Sequence, residues 1–368
     1  MWTSLILAAT LAPSATTGEM EDLSPPGTRP FRMGFTPWPS DLSIEGMQQS
    51  EKYLSSHGDL FSLMLIGGIP WDEALAGKPY SADVERVLST KPPKGQQLFL
   101  SISPLGMDRA TLAPAWGERD NMPLSEKWKS KPFDDPEVIK AFTRFCLDAT
   151  QRLKPDALAI GVESNALLSF NPKAWPAYKR LHRAAYQAIK KAHPRLPVFF
   201  TTEVNHYLER ATEAKGTKQK SEVADLMRSS DWFAMSYYPH MSYDTVWPIP
   251  ATFFDFARGF GKPVAVSETG MTSQPVAPSG IPLDGSPAKQ DQYYQVLLDT
   301  AQKHRYKFVV TFATTDFDRL IPKLPESARE LAKIWMHCGL QTGSGEVKPA
   351  GKRWNETFRQ PLNAPNGL

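Results

Sequence analysis

Eight short apolar runs, nearly all followed by a helical pattern, restrict the fold of this chain more than any other feature. The runs occupy residues 31–38, 60–69, 97–103, 157–163, 197–203, 232–238, 263–268 and 308–313. Strands that alternate with helices form parallel sheets with right-handed crossovers. Eight such units without a dividing linker predict an α/β protein with a single-domain (β/α)8 TIM barrel, which we place at residues 30–340. An open doubly wound sheet is the alternative, but no strand is followed by its glycine-rich turn.

The helix signals between these runs are of uneven strength. The clearest begins with Asp135 as N-cap and Pro136 at the first position. Its apolar face is formed by Val138, Phe142, Phe145, Ala149 and Leu153. The other predicted helices occupy residues 43–56, 82–88, 172–191, 220–228, 251–258, 287–304 and 326–337, of which 220–228 is largely polar. Residues 341–368 are predicted as a C-terminal tail, packed on the barrel or extended.

Loop lengths indicate which end of the barrel carries the function. The helix-to-strand links 154–156, 193–196 and 259–262 are short, whereas the strand-to-helix loops 104–134, 204–219 and 271–286 are long. Active sites of such barrels are built on the strand-to-helix face. We therefore expect the functional residues at the carboxyl ends of the strands.

Two of the apolar runs end in a glutamate. Leu158-Ala-Ile-Gly-Val-Glu163-Ser-Asn165 lacks alternation, as a strand covered on both faces does, and Pro263-Val-Ala-Val-Ser-Glu268-Thr-Gly270 repeats the design. Strands four and seven lie nearly opposite in an eight-stranded barrel, so the two carboxylates can face each other. Retaining glycoside hydrolysis needs such a pair about 5–5.5 Å apart, one as acid/base and one as nucleophile. Either glutamate alone is better explained as a helix cap or an arginine partner; their shared placement favours chemistry.

The same chemistry requires the two carboxyls to differ in protonation. The acid must keep its proton near neutral pH, and the nucleophile must be ionised and held by hydrogen bonds. Val162 and the apolar strand offer little to stabilise an anion at Glu163. We therefore expect Glu163 to hold the proton and Glu268 to carry the charge.

Other polar and aromatic residues at strand ends are candidates for substrate binding. Aromatic planes match the C–H face of a pyranose, although core packing is an equally good explanation for each one. The aromatic candidates are Trp38, Trp71, Tyr237 and Tyr238, with Trp116 and Trp128 as further ones. The candidates for binding hydroxyls are Asn165, Glu203, Asn205, His206, His240 and Asp316. No H-x-x-H pattern occurs, and we predict no metal and no cofactor.

The segments around the two glutamates resemble a known group of enzymes. Ala159-Ile-Gly-Val-Glu163-Ser-Asn165 and Val266-Ser-Glu268-Thr-Gly270 are similar to the acid/base and nucleophile motifs of clan A glycoside hydrolases, most of all the endo-β-1,4-galactanase family. Met235-Ser-Tyr-Tyr-Pro-His240 resembles the segment that supplies a tyrosine beside the nucleophile. The resemblance covers residues 31–338. It implies a retaining β-glycosidase of poly- or oligosaccharides, with Glu163 as acid/base, Glu268 as nucleophile, and Tyr237 or Tyr238 as hydrogen-bond donor to the nucleophile.

The chain departs from the clan pattern at three places. Val162 stands where clan members carry an asparagine that contacts the sugar 2-hydroxyl, a role that Asn165 or Asn205 would have to take. No arginine occurs at the end of strand two, and strand eight ends without the usual tryptophan. These departures leave two alternatives open: a catalytically silent carbohydrate-binding barrel, and a barrel enzyme that uses its acidic rim for proton transfer.

Composition and termini complete the expectations. The formal charge of +3 on 368 residues is too small and dispersed to indicate nucleic-acid binding. Residues 1–17 contain an apolar run from Leu5 to Leu11 and resemble a secretory leader, which predicts a secreted or periplasmic protein; a disordered tail is the alternative. No later stretch is long enough for a membrane span. We expect a monomer whose partner is a carbohydrate, with Cys146 and Cys338 either paired or free.

Overall fold

The computed structural model describes residues 27–364 and Leu368, and the predicted leader at residues 1–17 lies outside this range. Each of the eight apolar runs contains a strand. The strands are β1 Arg32–Phe35, β2 Leu60–Leu65, β3 Gln97–Ile102, β4 Ala157–Ala159, β5 with the two segments Val198–Phe199 and Thr201–Glu203, β6 Phe233–Tyr237, β7 Val264–Thr269 and β8 Phe308–Thr311.

The strands form one parallel sheet in the order β5-β4-β3-β2-β1-β8-β7-β6-β5. The sheet closes on β5, because its two segments pair with different neighbours. Val198 in the first segment pairs with Leu158 of β4, and Thr201 in the second pairs with Ala234 of β6. The predicted (β/α)8 TIM barrel is thereby confirmed.

Helices cover the outside of the barrel, both at the predicted places and, in five cases, within segments that were predicted as loops or as the C-terminal tail. They are α1 Ile44–His57, α2 Trp71–Ala76, α3 Ala82–Val87, α4 Glu126–Lys129, α5 Pro136–Leu153, α6 Leu167–Phe170, α7 Trp175–Ala192, α8 Val204–Tyr207, α9 Gln219–Leu226, α10 Pro287–Lys303, α11 Glu326–Ala332 and α12 Pro349–Arg359. Asp135 caps α5 as predicted, since its side chain accepts a hydrogen bond from the backbone N–H of Glu137 at 2.8 Å.

Two of the helix predictions need correction. The helix expected at 251–258 is a 3₁₀ helix, Phe253–Phe260, whose aromatic rings pack on Tyr237 and Phe233 at centroid distances of 5.0 and 4.6 Å. The helix expected at 326–337 is α-helical only to Ala332 and continues as the 3₁₀ turn Lys333–Trp335. In the first case, local aromatic packing outweighs the regular α-helical spacing that the sequence pattern suggested.

The barrel interior is packed at its lower end. Alternate strand residues point inward, and the rings of Phe99, Phe308, Phe199 and Trp232 meet there, with centroid distances of 4.8 Å for Phe99–Phe308 and 5.3 Å for Phe199–Trp232. A barrel of this kind is a filled core and not a pore. This aromatic layer fills the barrel interior below the polar residues at the carboxyl ends of the strands.

The C-terminal segment packs against the first helix and strand. Trp354 of α12 is buried, donates its indole N–H to the carbonyl of His57 at 2.9 Å, and lies 5.0 Å from the ring of Phe35. Cys146 and Cys338 are both buried and free. Within residues 27–364 and Leu368, no helix is long and apolar enough to span a membrane.

Candidate active site

Glu163 lies on a strained turn beyond β4. The strand ends at Ala159, and Glu163 adopts the left-handed conformation with φ 49° and ψ 42°, which is uncommon for a residue with a side chain. Its backbone N–H is held by the hydroxyl of Thr201 at 2.7 Å. Gly161 permits the turn, because a Cβ there would lie 2.3 Å from the Tyr178 hydroxyl. The predicted strand therefore gives way to a turn that presents the carboxylate.

The carboxylate of Glu163 is an ion-pair partner. Arg109 donates to Oε2 from Nη2 at 2.8 Å and from Nε at 3.2 Å, and Ser236 donates to Oε1 at 2.7 Å. Both ion-pair side chains are mostly buried. Our expectation that the surroundings of Glu163 offer little to an anion is wrong, because a guanidinium from the loop after β3 reaches it.

The surroundings of Glu268 favour the uncharged carboxyl, in contrast to the ion pair of Glu163. It lies in β7 beside a register shift that sets it opposite Ser236, and bulges of this kind re-aim side chains next to active sites. Tyr238 donates its hydroxyl to Oε1 at 2.5 Å. Burial and, second, the negative charge of Glu163 raise the pKa of Glu268, while the Tyr238 hydrogen bond and Arg109 act in the other direction. These surroundings therefore favour the neutral form of Glu268, whereas we expected Glu268 to carry the charge.

A third carboxyl, that of Glu203, lies at the end of β5. Its Oε2 accepts the backbone N–H of His206 at 2.6 Å, and its Oε1 accepts the side-chain amide of Asn205 at 3.0 Å. Burial first, and then the charge of Glu163, raise the pKa of Glu203 to about 8. The site thus holds one carboxyl that is paired with a guanidinium and two carboxyls whose burial favours the neutral form.

These carboxyls line a cavity of about 590 Å³ at the carboxyl ends of the strands. Seven of the predicted site residues contribute to its lining, namely Trp38, Glu163, Glu203, Asn205, His206, Tyr238 and Glu268. The Oδ1 atom of Asn205 is buried without a partner among the described residues. The cavity therefore joins all three strand-end carboxyls with several of the candidates for substrate binding.

The other predicted site residues lie in the protein interior, outside the lining of this cavity. Trp71 is buried against Trp128 and donates to the carbonyl of Ala113 at 3.0 Å. Tyr237 points outward from the barrel, as strand alternation dictates when Tyr238 points inward, and stacks on Phe253. His240 is buried within hydrogen-bonding distance, 3.1 Å, of the carbonyl of Ile334. Their structural positions favour packing roles.

Asn165 connects two segments of the site by hydrogen bonds but does not line the cavity. It is fully buried, accepts the backbone N–H of Glu203 at 2.7 Å and donates to the carbonyl of the same residue at 3.0 Å. It also donates to Gln219 at 3.0 Å. Because these bonds join the end of β5 to the turn after Glu163, Asn165 fixes two of the carboxyl-bearing segments relative to each other.

Asp316 is part of a buried ion pair. Lys348 donates to its Oδ1 at 2.6 Å, the backbone N–H of Gly339 donates to the same atom at 3.1 Å, and His337 lies 3.4 Å from Oδ2. The side chains of Asp316 and Lys348 are 3% and 5% exposed. Asp316 therefore anchors the segment after β8 and does not face the cavity.

We expect Lys348→Met to destabilise the protein by about 3–5 kcal/mol, because it leaves the carboxylate of Asp316 buried without its cation. Urea unfolding followed by tryptophan fluorescence measures the loss. Lys333→Met is the matched control: its pair with Glu330 is half-exposed, so the change should stay within about 1 kcal/mol. A small effect of Lys348→Met would show that Asp316 is satisfied by its other donors.

Two contributors to the site, Arg109 and Ser236, were missed by the sequence-based predictions. Arg109 lies within the long loop 104–134, where nothing in the local pattern separates it from solvated arginines. Ser236 lies within the motif Met235-Ser-Tyr-Tyr-Pro-His240, and strand alternation in phase with Tyr238 would have placed it on the inner face. Among the described residues, no group of three or more His, Cys, Asp or Glu side chains is placed to hold a metal ion.

Comparisons with known proteins agree with this geometry. Together with the barrel they make the chain similar to clan A TIM-barrel glycoside hydrolases, which are enzymes that act on sugars. The family model that matches is described as Glycosyl hydrolase family 53 and covers residues 115–296, slightly less than half of the chain. The matched range contains Glu163, Tyr238 and Glu268. No curated protein sequence matches the chain.

Solved structures are similar in fold at low sequence identity. An exo-β-1,4-mannosidase from Opitutaceae bacterium strain TAV5 has a TM-score of 0.60 and 16% identity over 90% of this chain, which spans 60% of that protein. A GH5_18 protein from Streptomyces cattleya, solved with Manβ1-4GlcNAc, has 0.60 and 15% over 89% of this chain and 80% of its own. A GH5_18 protein from Bifidobacterium longum subsp. infantis has 0.60 and 15% over 92% and 80%. At such identities the likeness supports the fold.

Proposed function

We propose that the protein is a retaining β-glycoside hydrolase with Glu163 as acid/base and Glu268 as nucleophile. The observation that carries this proposal is the placement of both carboxyls in one cavity, at the ends of β4 and β7, with Tyr238 donating to Glu268. The expected substrate, a poly- or oligosaccharide, and the expected export from the cell remain predictions from the sequence.

The proposed reaction is a double displacement. Glu163 donates its proton to the glycosidic oxygen as the free carboxylate oxygen of Glu268 attacks the anomeric carbon; the bond to the leaving group breaks and an ester to Glu268 forms. Glu163 then takes a proton from water, the water oxygen attacks the same carbon, and Glu268 is released. Two inversions give net retention of the β configuration.

The reaction requires the proton to move from Glu268 to Glu163 before the first step. The ion pair with Arg109 favours charge on Glu163, whereas burial disfavours charge on Glu268. Arg109 lies on the loop after β3, so a ligand that draws the guanidinium away removes the cation that pairs with Glu163. Protonation of Glu163 then removes the negative charge that, after burial, raises the pKa of Glu268. We therefore propose that Arg109 governs the protonation of the pair and contacts the substrate when it binds.

A panel of 2,4-dinitrophenyl β-glycosides tests the proposed function. The panel should include glucoside, galactoside, mannoside and xyloside, and proton NMR should follow the first-formed product of any substrate that turns over. We expect the β-anomer to appear first, and a 2-fluoro derivative of the same sugar to add its mass to the peptide that contains Glu268. The α-anomer as first product, or labelling of another peptide, would overturn the assignment.

We expect Arg109→Gln to move the pH profile of kcat/KM to higher pH by about one unit or more. Removal of the cation makes ionisation of Glu268 less favourable, so the acidic limb of the bell-shaped pH profile moves to higher pH. Arg109→Lys keeps the charge and is the matched control, with a smaller shift expected. An unmoved profile in the glutamine variant would show that Arg109 does not govern the protonation of the pair.

A catalytically silent carbohydrate-binding barrel is the second candidate. The Arg109–Glu163 ion pair favours it, because an acid/base that is locked as a carboxylate cannot protonate a leaving group. Val162 adds to it, since an apolar side chain replaces a sugar contact. This candidate predicts saturable binding of a glycoside by calorimetry, with no turnover of any dinitrophenyl glycoside by the wild type or by Arg109→Gln.

A further inference from the structure

The cavity that holds the carboxyls is divided into a polar side and an apolar side. The polar side chains Glu163, Glu203, Asn205, His206 and Glu268 all come from the ends of β4, β5 and β7 and the turns that follow them. The remaining wall comes from the end of β2 and from the segment after β8, the strand that neighbours β7 in the sheet. It includes Met64, Ile66, Phe312, Phe317, Leu320 and Trp335.

The apolar surface continues outward to the mouth of the cavity. Met107, Phe170, Met241 and Leu331 line the cavity and are large apolar side chains that stay 42–52% exposed. They belong to four separate segments, which follow β3, β4, β6 and β8. Exposed apolar side chains that gather around one opening mark a binding surface and are not the scattered exposure that folding leaves behind.

The aliphatic side chains of this lining are unfavourable for a chain of sugars. Every hydroxyl of a pyranose that is buried without a hydrogen-bond partner loses about 1–3 kcal/mol, and methionine, leucine and isoleucine side chains offer no such partner. The indole N–H groups of Trp38 and Trp335 in this wall are themselves buried, so a ligand hydroxyl does not reach them. Hydroxyl-bearing groups are therefore satisfied on the carboxyl side of the cavity only.

We infer that the substrate is a β-glycoside of an apolar alcohol, with its sugar on the carboxyl side and its aglycone against the apolar wall. The inference rests on the proposed function. The acid/base contacts the oxygen of the leaving group, so the aglycone leaves past Glu163. Met107, two residues from Arg109, and Phe170, in the helix after Glu163, are large apolar residues of the cavity lining that lie close to this ion pair in sequence. The volume of about 590 Å³ is within the range of pockets that enclose a drug-sized ligand.

Alkyl β-glycosides of one sugar test this inference, because methyl, butyl, hexyl and octyl glycosides differ in apolar length at nearly constant leaving-group acidity. Below their micellar concentrations, we expect kcat/KM to rise about 3- to 4-fold per added methylene until the wall is covered. Naphthyl β-glycosides form a second arm, which distinguishes an aromatic aglycone from an aliphatic one. A flat dependence on chain length, with better hydrolysis of the matching disaccharide or longer oligosaccharides, would overturn the inference.

Variants at the mouth of the cavity test whether its apolar side chains cause the dependence of kcat/KM on alkyl chain length. Leu331→Gln should lower the octyl-to-methyl ratio of kcat/KM at least 3-fold, and Ile44→Gln, at a 71% exposed apolar position outside the cavity lining, should leave the ratio unchanged. If both variants change the ratio equally, the wall is not the aglycone site.

Binding separates this inference from the proposed function. Calorimetry of Glu268→Gln with octyl and methyl β-glucoside, β-galactoside and β-mannoside needs no turnover. Tighter binding of an octyl glycoside by a protein that turns over no dinitrophenyl glycoside would refute the enzyme while supporting the apolar site. Turnover of dinitrophenyl glycosides with equal binding of the octyl and methyl glycosides would support the enzyme and refute the apolar site.

Discussion

Glu268→Gln is expected to lower kcat on every substrate by at least about 10⁴-fold, because the amide cannot form the ester that the double displacement requires. The fold should survive the substitution. Gln has nearly the shape of the neutral carboxylic acid, and the contact with Tyr238 can persist. Circular dichroism and gel filtration verify the fold, and a single turnover with a dinitrophenyl glycoside measures the loss.

The same variant should alter how stability depends on pH. Because the pKa of Glu268 is raised in the folded protein, the native state binds this proton more tightly than the unfolded state. The wild type therefore loses stability as pH rises above the ordinary glutamate range of about 4.3. The Glu268→Gln variant does not lose this contribution to the free energy of unfolding, because its amide stays neutral. We expect the variant to match the wild type near pH 4 and to exceed it by about 1–3 kcal/mol near pH 8.

Glu118→Gln is the control for both measurements, since Glu118 is exposed on the loop after β3. It should leave kcat and the pH dependence of stability unchanged. Wild-type-like turnover by a folded Glu268→Gln variant would contradict the assignment of Glu268 as the nucleophile. A stability curve parallel to that of the wild type would show that the proton resides elsewhere in the empty site, with Glu203 as the next carboxyl to test.

The barrel could be predicted from the sequence because its determinants are local. Apolar runs specify buried strands, and Asp135 with Pro136 specifies the start of α5 without reference to the rest of the chain. The two strand-end glutamates are equally local. Their position relative to the sheet follows from topology alone, since the carboxyl ends of all parallel strands meet at one face.

The protonation of the site could not be predicted, because it depends on contacts distant in sequence. Arg109 and Glu163 are 54 positions apart, and the loop that joins β3 to α5 has no pattern that would fix where the guanidinium points. The register shift beside Glu268 is likewise invisible in an apolar run. The apolar wall depends on how α11 and its flanking turns fold over the barrel mouth, which the helical pattern of 326–337 did not reveal.

Two neighbouring tyrosines illustrate the same limit of prediction from the sequence. Tyr237 and Tyr238 are neighbours, and the sequence left open which of them serves the nucleophile. Strand alternation requires them to face opposite sides, but only the pairing of β6 with β7 decides which side is which. Tyr238 contacts Glu268, and Tyr237 packs on Phe253.

Glu163→Ala should affect poor leaving groups far more than good ones. Loss of the general acid is expected to reduce kcat/KM on alkyl glycosides by about 10²–10⁴-fold, and on 2,4-dinitrophenyl glycosides by less than about 10-fold. The dinitrophenolate leaves without protonation, so the ester to Glu268 still forms but its hydrolysis loses the general base. A burst of dinitrophenolate followed by a slow steady state, measured by stopped-flow absorbance, is the expected signature.

Added azide should restore turnover of this variant, because a small anion can occupy the vacated space and attack the ester without a base. The cavity favours this rescue: removal of Glu163 leaves Arg109 without its partner, and the guanidinium and the hydroxyl of Ser236 both donate into the space. The double variant Glu163→Ala, Arg109→Gln is the control and should need at least about 10-fold more azide for the same rescue. The product should be the β-glycosyl azide. If Glu163→Ala loses activity equally on activated and unactivated substrates and azide restores nothing, Glu163 is not the acid/base, and the silent carbohydrate-binding barrel becomes the better account of the cavity.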